Sequence, residues 1–364
     1  MVITTLIAAS GQTQDPSEIS RKWNEIRLLC EKYDDGADSA YRILNEQLAA
    51  TKRDPVANAI WHSCLGQFLS DYCDGNRFLL RDRTKVAGET PADFKEWDTR
   101  TFKRRAREEY LLSLKNAKTL QAVDAKSYSL LLQKMEKQHP VKTLYEVLAY
   151  RAIEHLVSDL NNEAPDRSLS GDALWHNDQF LKMPLAITED ASVLRMILSV
   201  YQEIIRYHSV QNHEMDLIML TLERYDFMRG QGLAPDNSLD WYIPFLEKWA
   251  KECEQMEGYG LIAYKIGSLY LERDNNRSNY ESKDTENPYH DDLLKAESWL
   301  KIALNASGKS FYEVPVNETI QGLHSRTISA SPLFGENSIF PTGSATLWRI
   351  NYANSKQLYV NQVR

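Results

Sequence analysis

A few short stretches carry residue types and spacings that could do chemistry. Gly258, Gly260 and Ala263 in "GYGLIAY" give the formal Gly-x-Gly-x-x-Ala pattern of a dinucleotide loop. That loop works when a strand delivers a glycine turn to a helix N-terminus aimed at pyrophosphate. Here the preceding "DWYIPFLEKWA" is helical in pattern, so the glycines are expected in a helix-to-helix turn. His62, Cys64 and Cys73 are metal-ligand types, but residues two apart on a helix point to different faces and no fourth ligand lies near. "DYCDGN" lacks the alternating oxygens and closing glutamate of a calcium loop. His208 and His213 straddle a turn and are expected as satisfied surface histidines, while Asp34–Asp35 and Asp291–Asp292 are expected to flank helix ends and cap them.

Motifs of wider use are missing from the chain. It has no His-Glu-x-x-His, no Gly-x-Ser-x-Gly and no phosphate loop ending in Gly-Lys-Ser/Thr. The reading is a non-enzyme with no cofactor and no metal. Net charge is −8 with scattered lysines and arginines, which argues against a nucleic-acid partner needing a basic stripe. The densest basic run, "FKRRAREEY", is followed at once by Glu108 and Glu109, as on a solvated helix face. Cys30, Cys64, Cys73 and Cys253 are too few for a disulfide scaffold and are expected as free thiols, although a Cys64–Cys73 bridge stays open in an oxidising compartment. Asn276, Asn305 and Asn317 head glycosylation-type triplets at near chance frequency.

The elements that must position these residues read as helices. Residues 1–14 resemble a signal-peptide remnant, with an apolar run from Val2 to Ala9 and small residues at Ala8 to Gly11, though no basic residue precedes Arg21. No stretch reaches the roughly 20 apolar residues of a bilayer span. A first helical region is expected over 15–160. Its opening stripe is Ile19, Trp23, Ile26, Cys30 and Tyr33, and its clearest is Val141, Leu144, Tyr145, Leu148, Ala152, Leu156 and Leu160. A long loop holding Trp175 follows over 161–188, then a second helical region over 189–322.

Helix pairs recurring at roughly 35 to 45 residues suggest an α-solenoid. The most specific pair, 259–307, resembles a tetratricopeptide hairpin. Ala263, Ile266, Gly267 and Tyr270 match its first helix, and Ala296, Leu300 and Ala303 match the small–large–small spacing of its second. The intervening turn is about 17 residues longer than that repeat allows, and Gly308 stands where a proline is usual.

From 323 to 364 the text turns β-like. Trp348, Ile350 and Tyr352 alternate with Leu347, Arg349 and Asn351, "ANSKQ" turns, and "LYVNQV" begins a return. The fold class is therefore mostly α, in antiparallel tetratricopeptide-like pairs, followed by a few C-terminal strands of an incomplete β-sandwich. In element order the chain resembles the N-terminal region of bacterial alpha-2-macroglobulin-like proteins. The resemblance rests on "WDTRTFKRRAREEYLLSLKNAKTL", "TLYEVLAYRAIEHLVSDL", "AYKIGSLYLER" and "PTGSATLWRINYANSKQLYVNQVR", with Pro341-Thr342-Gly343 and Leu358-Tyr359-Val360 at the places of that family's early turn and return strand.

The resemblance implies a non-catalytic helical scaffold of an exported proteinase trap, in the periplasm or outer envelope. Its partners would be macroglobulin-type domains downstream in the same polypeptide, together with envelope proteins or proteinases. Bait segment and any Cys-x-Glu-Gln thioester would also lie downstream; Cys253-Glu254-Gln255 lacks the intervening residue and reads as helix. The rival reading is a free-standing exported tetratricopeptide-like binder of glycans or peptides at the bacterial surface, which requires Trp175, Trp241 or Trp249 to be exposed together on one surface.

Overall fold

The computed structural model describes residues 14–33, 35–81, 83, 90–128, 141–160, 166, 168–169, 171–185, 191–277, 291–306, 312–325, 327–332 and 348–353. The signal-like run, the inserted turn of the hairpin, Pro341-Thr342-Gly343 and Leu358-Tyr359-Val360 lie outside them. The described part is mostly helical, and no helix in it is long and apolar enough to cross a membrane. The chain divides into two compact units, Met1–Tyr207 and His208–Arg364.

The first unit holds α1 (Pro16–Lys32), α2 (Gly36–Ala50), α3 (Pro55–Gly75), α4 (Arg77–Arg81), α5 (Thr99–Leu112), α6 (Ala117–Gln121), α7 (Leu144–Leu160) and α8 (Asn177–Phe180). Its boundary with the second falls within α9 (Val193–Gln211). Two helices open on the same device. Asp15 and Asp54 cap them by accepting from amides two or three residues on, and Pro16 and Pro55 occupy the first turn, where a missing N–H costs nothing. Asp98 likewise accepts from Thr101 N at 2.7 Å and caps the start of α5.

At the start of α7, Thr143 and Glu146 form a capping box. Thr143 N donates to Glu146 Oε2 at 2.8 Å, and Glu146 N returns a bond to Thr143 Oγ1 at 3.3 Å. The helix buries residues all round, including Leu144, Leu148, Ala152 and Leu156. In α1 only Ile19, Trp23 and Ile26 of the expected stripe are buried; Cys30 and Tyr33 are exposed. The stretch expected as a plain loop contains a 3-10 turn, Asp172–Leu174, and α8, which bury Leu174, Trp175 and Phe180.

The second unit holds α10 (Glu214–Gly230), α11 (Leu239–Glu252), α12 (Tyr259–Arg277), α13 (Asp292–Asn305) and α14 (Glu313–His324). α12 and α13 pack antiparallel: Arg273 meets Asp292 at one end, and Gly260 abuts Ala306 at the other. α14 falls largely within the helical region expected over 189–322. Its Val316, with the preceding Tyr312, closes an apolar cluster around Ala263, Leu300 and Ala303. Beyond it the backbone segments β1 (Thr327–Pro332) and β2 (Trp348–Ala353) pair antiparallel, Thr327 opposite Ala353 and Pro332 opposite Trp348.

Candidate functional site

A concentration of titratable side chains lies in the first unit, where α3, α5 and α7 meet along a polar seam. His62 Nδ1 of α3 is 2.6 Å from Glu109 Oε2 of α5. One turn on, Arg151 of α7 donates from Nε to Ser63 Oγ and from Nη2 to Gln67 Oε1, both at 2.8 Å. At the far end Ser70 Oγ lies 2.9 Å from His155 Nδ1, and His155 Nε2 lies 3.6 Å from Asp159 Oδ2. Asp159 is only 3% exposed and sits against two cations of α5, Lys103 Nζ at 2.9 Å and Arg107 Nη2 at 3.6 Å. The basic run of α5 is thus tied into ion pairs, with Arg105 also over the Trp97 ring.

Ser70, His155 and Asp159 stand in the order of nucleophile, base and orienting acid. His155 stacks on Tyr110 at 4.8 Å between ring centroids, and burial holds its pKa below the ordinary histidine value, with Asp159 opposing. A neutral imidazole is what a base requires. Among the described residues, no oxyanion hole is built beside Ser70. Ser70 lies inside α3, where backbone amides are already bonded along the helix, and its hydroxyl also donates to the Gly66 carbonyl at 3.1 Å. The arrangement is suited to linking helices rather than to stabilising a tetrahedral intermediate.

Two clefts flank α1. One, of about 750 Å³, is lined by Trp23, Cys30, Tyr33, Phe68, Tyr72 and Lys95 among others. The other, of about 450 Å³, has Leu28, Leu29 and Ile43 in its wall. Ser70 borders neither. Cys30 is exposed, but partial burial still raises its thiol pKa. Burial pushes Cys64 to about 12 and Cys73 and Cys253 to about 11, so none of the three is a thiolate at neutral pH. All four cysteines are free.

In the second unit the glycine pattern has a packing explanation. Gly258 takes φ +96, a left-handed turn conformation, with Met215 close behind its Cα; a side chain at Gly260 would collide with Tyr312. Ala263 is buried in the α12–α13 seam, so no strand and no phosphate cradle is involved. Ile266, Gly267, Tyr270, Ala296, Leu300 and Ala303 are buried as well. A Cβ on Gly267 would lie 2.9 Å from Leu300 Cγ and 3.2 Å from the Ala296 carbonyl oxygen, which shows how closely the helices approach. Cys253-Glu254-Gln255 follows the end of α11 in a turn rather than lying within the helix.

The three tryptophans proposed as an interaction surface are differently placed. Trp175 is 2% exposed in the core of the first unit, so it cannot form part of an exposed platform. Trp241 and Trp249 are half-buried on α11; Trp241 stacks on Phe245, and both Phe245 and Trp249 meet Tyr225 edge-on. Their spacing of four and eight residues along α11 is a packing stripe against α10.

Two readings of charged residues need correction. Asp292 is fully buried and accepts both Arg273 Nε and Nη2, at 2.7 and 2.8 Å, rather than serving as a cap. His208 is also fully buried, not a surface histidine, and it clusters with His213 and Asp216. This trio is the group among the described residues whose donor atoms, all within 4.8 Å of one another, could hold a metal ion. No family model, no curated protein and no solved structure matches the chain.

Proposed function

We propose that the chain is a docking scaffold without chemistry of its own, the helical part of an exported macroglobulin-like protein in which 323–364 open a β-sandwich. One observation supports the scaffold reading above the rest. The side chains best equipped for acid–base or nucleophilic work, Ser70, His155, Asp159 and Glu109, are committed to joining α3, α5 and α7. Close antiparallel packing of α12 on α13 favours the tetratricopeptide-like, solenoid reading of the second unit. Tyr33 and Leu28, exposed beside the clefts at α1, offer apolar surface for a protein partner. In this reading the partners are sandwich modules of the same polypeptide and, through them, a proteinase.

Two assays test the reading. The purified chain is incubated with chromogenic ester, peptide and glycoside substrates, and the longer polypeptide with its downstream modules is challenged with a serine proteinase. The expected results are no turnover above buffer in the first and retention of the proteinase in a larger complex on gel filtration in the second. Turnover lost in Ser70→Ala would overturn the scaffold reading. A longer polypeptide without sandwich modules would overturn the macroglobulin placement alone.

A further inference from the structure

The turn between α9 and α10 places two imidazoles and a carboxylate together by a backbone device. α9 ends in a Schellman motif. Asn212 adopts φ 54, the left-handed conformation, and His213 N donates to the His208 carbonyl at 3.0 Å while Asn212 N reaches the Ser209 carbonyl at 3.4 Å. This motif brings together the side chains of its third-from-last helical residue and the second residue past the cap, a pair that is commonly hydrophobic. Here both are histidines. Their Nδ1 atoms face each other at 3.1 Å, and the rings are tilted with centroids 5.3 Å apart.

The third member comes from the first turn of α10. Asp216 Oδ2 lies 3.7 Å from His208 Nδ1, beyond hydrogen-bond reach but within ion-pair distance. Metal–ligand bonds of about 2.0–2.2 Å in a tetrahedral site put neighbouring ligand atoms about 3.3–3.5 Å apart. The observed 3.1 and 3.7 Å bracket that edge length. His208 and Asp216 are buried, whereas His213 is partly open to solvent, so an ion has a route in and water can fill a fourth position. Glu214, next to His213, is turned elsewhere and accepts from Glu257 N at 2.7 Å.

We propose that His208, His213 and Asp216 bind one divalent transition-metal ion of the zinc class, clamping the α9–α10 turn. Two imidazole nitrogens with one carboxylate suit zinc and disfavour calcium or magnesium, which prefer all-oxygen shells. The spacing His-x4-His-x2-Asp is set by the Schellman turn and the first turn of the next helix.

The test uses the full chain, stripped with chelator and titrated with Zn²⁺ by calorimetry and with Co²⁺ by visible absorption. Expected are one equivalent bound, an intense tetrahedral-type Co²⁺ band, and a Zn²⁺-dependent rise in Tm that Ca²⁺ and Mg²⁺ do not produce. His213→Gln and Asp216→Asn should each weaken Zn²⁺ at least about 100-fold, while His62→Gln should leave it unchanged. No zinc binding below about 1 mM, or affinity unchanged in both variants, would overturn the site. A readout needing no variant guards against misfolding. Zn²⁺ should protect His213 from diethyl pyrocarbonate, as read by mass spectrometry, and equal modification with and without Zn²⁺ would also overturn it.

Discussion

The polar seam of the first unit and the α12–α13 hairpin of the second solve the same problem, joining helices side by side, by opposite means. The seam joins α3, α5 and α7 through side-chain hydrogen bonds and ion pairs repeated turn after turn. The hairpin joins its helices through shape, with Gly267 and Ala296 letting Leu300 close the gap and a bidentate pair, Arg273–Asp292, at the end where the two helices are connected. Many weak polar links tolerate loss of one member but titrate. A shape-based seam is indifferent to pH and intolerant of added volume.

The largest expected effect comes from removing the hairpin's ion pair. Arg273→Met would leave Asp292, 0% exposed, without its guanidinium and should cost about 3–5 kcal/mol. Hydrogen exchange of α12 and α13 amides should accelerate while amides of α3 and α7 keep their protection; uniform protection in these helices would mean that Asp292 finds solvent. Next in size is Gly267→Val. The new Cβ would press on Leu300 at 2.9 Å, and overpacking of this kind costs about 1–3 kcal/mol. Urea unfolding followed by α12 amides should show it, and a neutral result would mean that the helices separate freely.

The smallest effect separates the regions by acid. His155 titrates below its unfolded value because burial disfavours its cation, so the unfolded chain binds the proton first. Stability from this group is therefore present above the unfolded histidine pKa, about 6.5, and is lost as pH falls through that value toward the lower folded one. Between pH 7 and pH 5 the seam should loosen with an uptake of at most about one proton, and His155→Gln should flatten the slope. The hairpin should not respond. An equal pH slope in the variant would show that His155 is not the titrating group.

Local signals made much of the helical part legible before any coordinates. Asp15-Pro16 and Asp54-Pro55 announce helix starts, and the small residues at 263, 267, 296 and 303 mark a close helix pair. α14 lies largely within the stretch expected to be helical, although Val314, Val316 and Thr319 are β-branched. Pro315 fits the first turn, where its missing amide has no intrahelical partner to lose.

The seam was invisible for another reason. Ser70 and His155 are 85 residues apart, and only the packing of α7 beside α3 brings them together. The histidine cluster could have been found. Asn212 is a residue type that tolerates the left-handed cap, and counting outward from it pairs His208 with His213 rather than leaving both at the surface.

The cysteines carry a practical corollary. With Cys64, Cys73 and Cys253 sealed in the fold, the sulfur open to solvent is Cys30, on the wall of the larger cleft beside α1. A maleimide dye would attach there first and sit where a docking protein would disturb its emission. A serine in place of Cys30 would remove the exposed thiol and leave the protein without a site for intermolecular disulfides at that cleft.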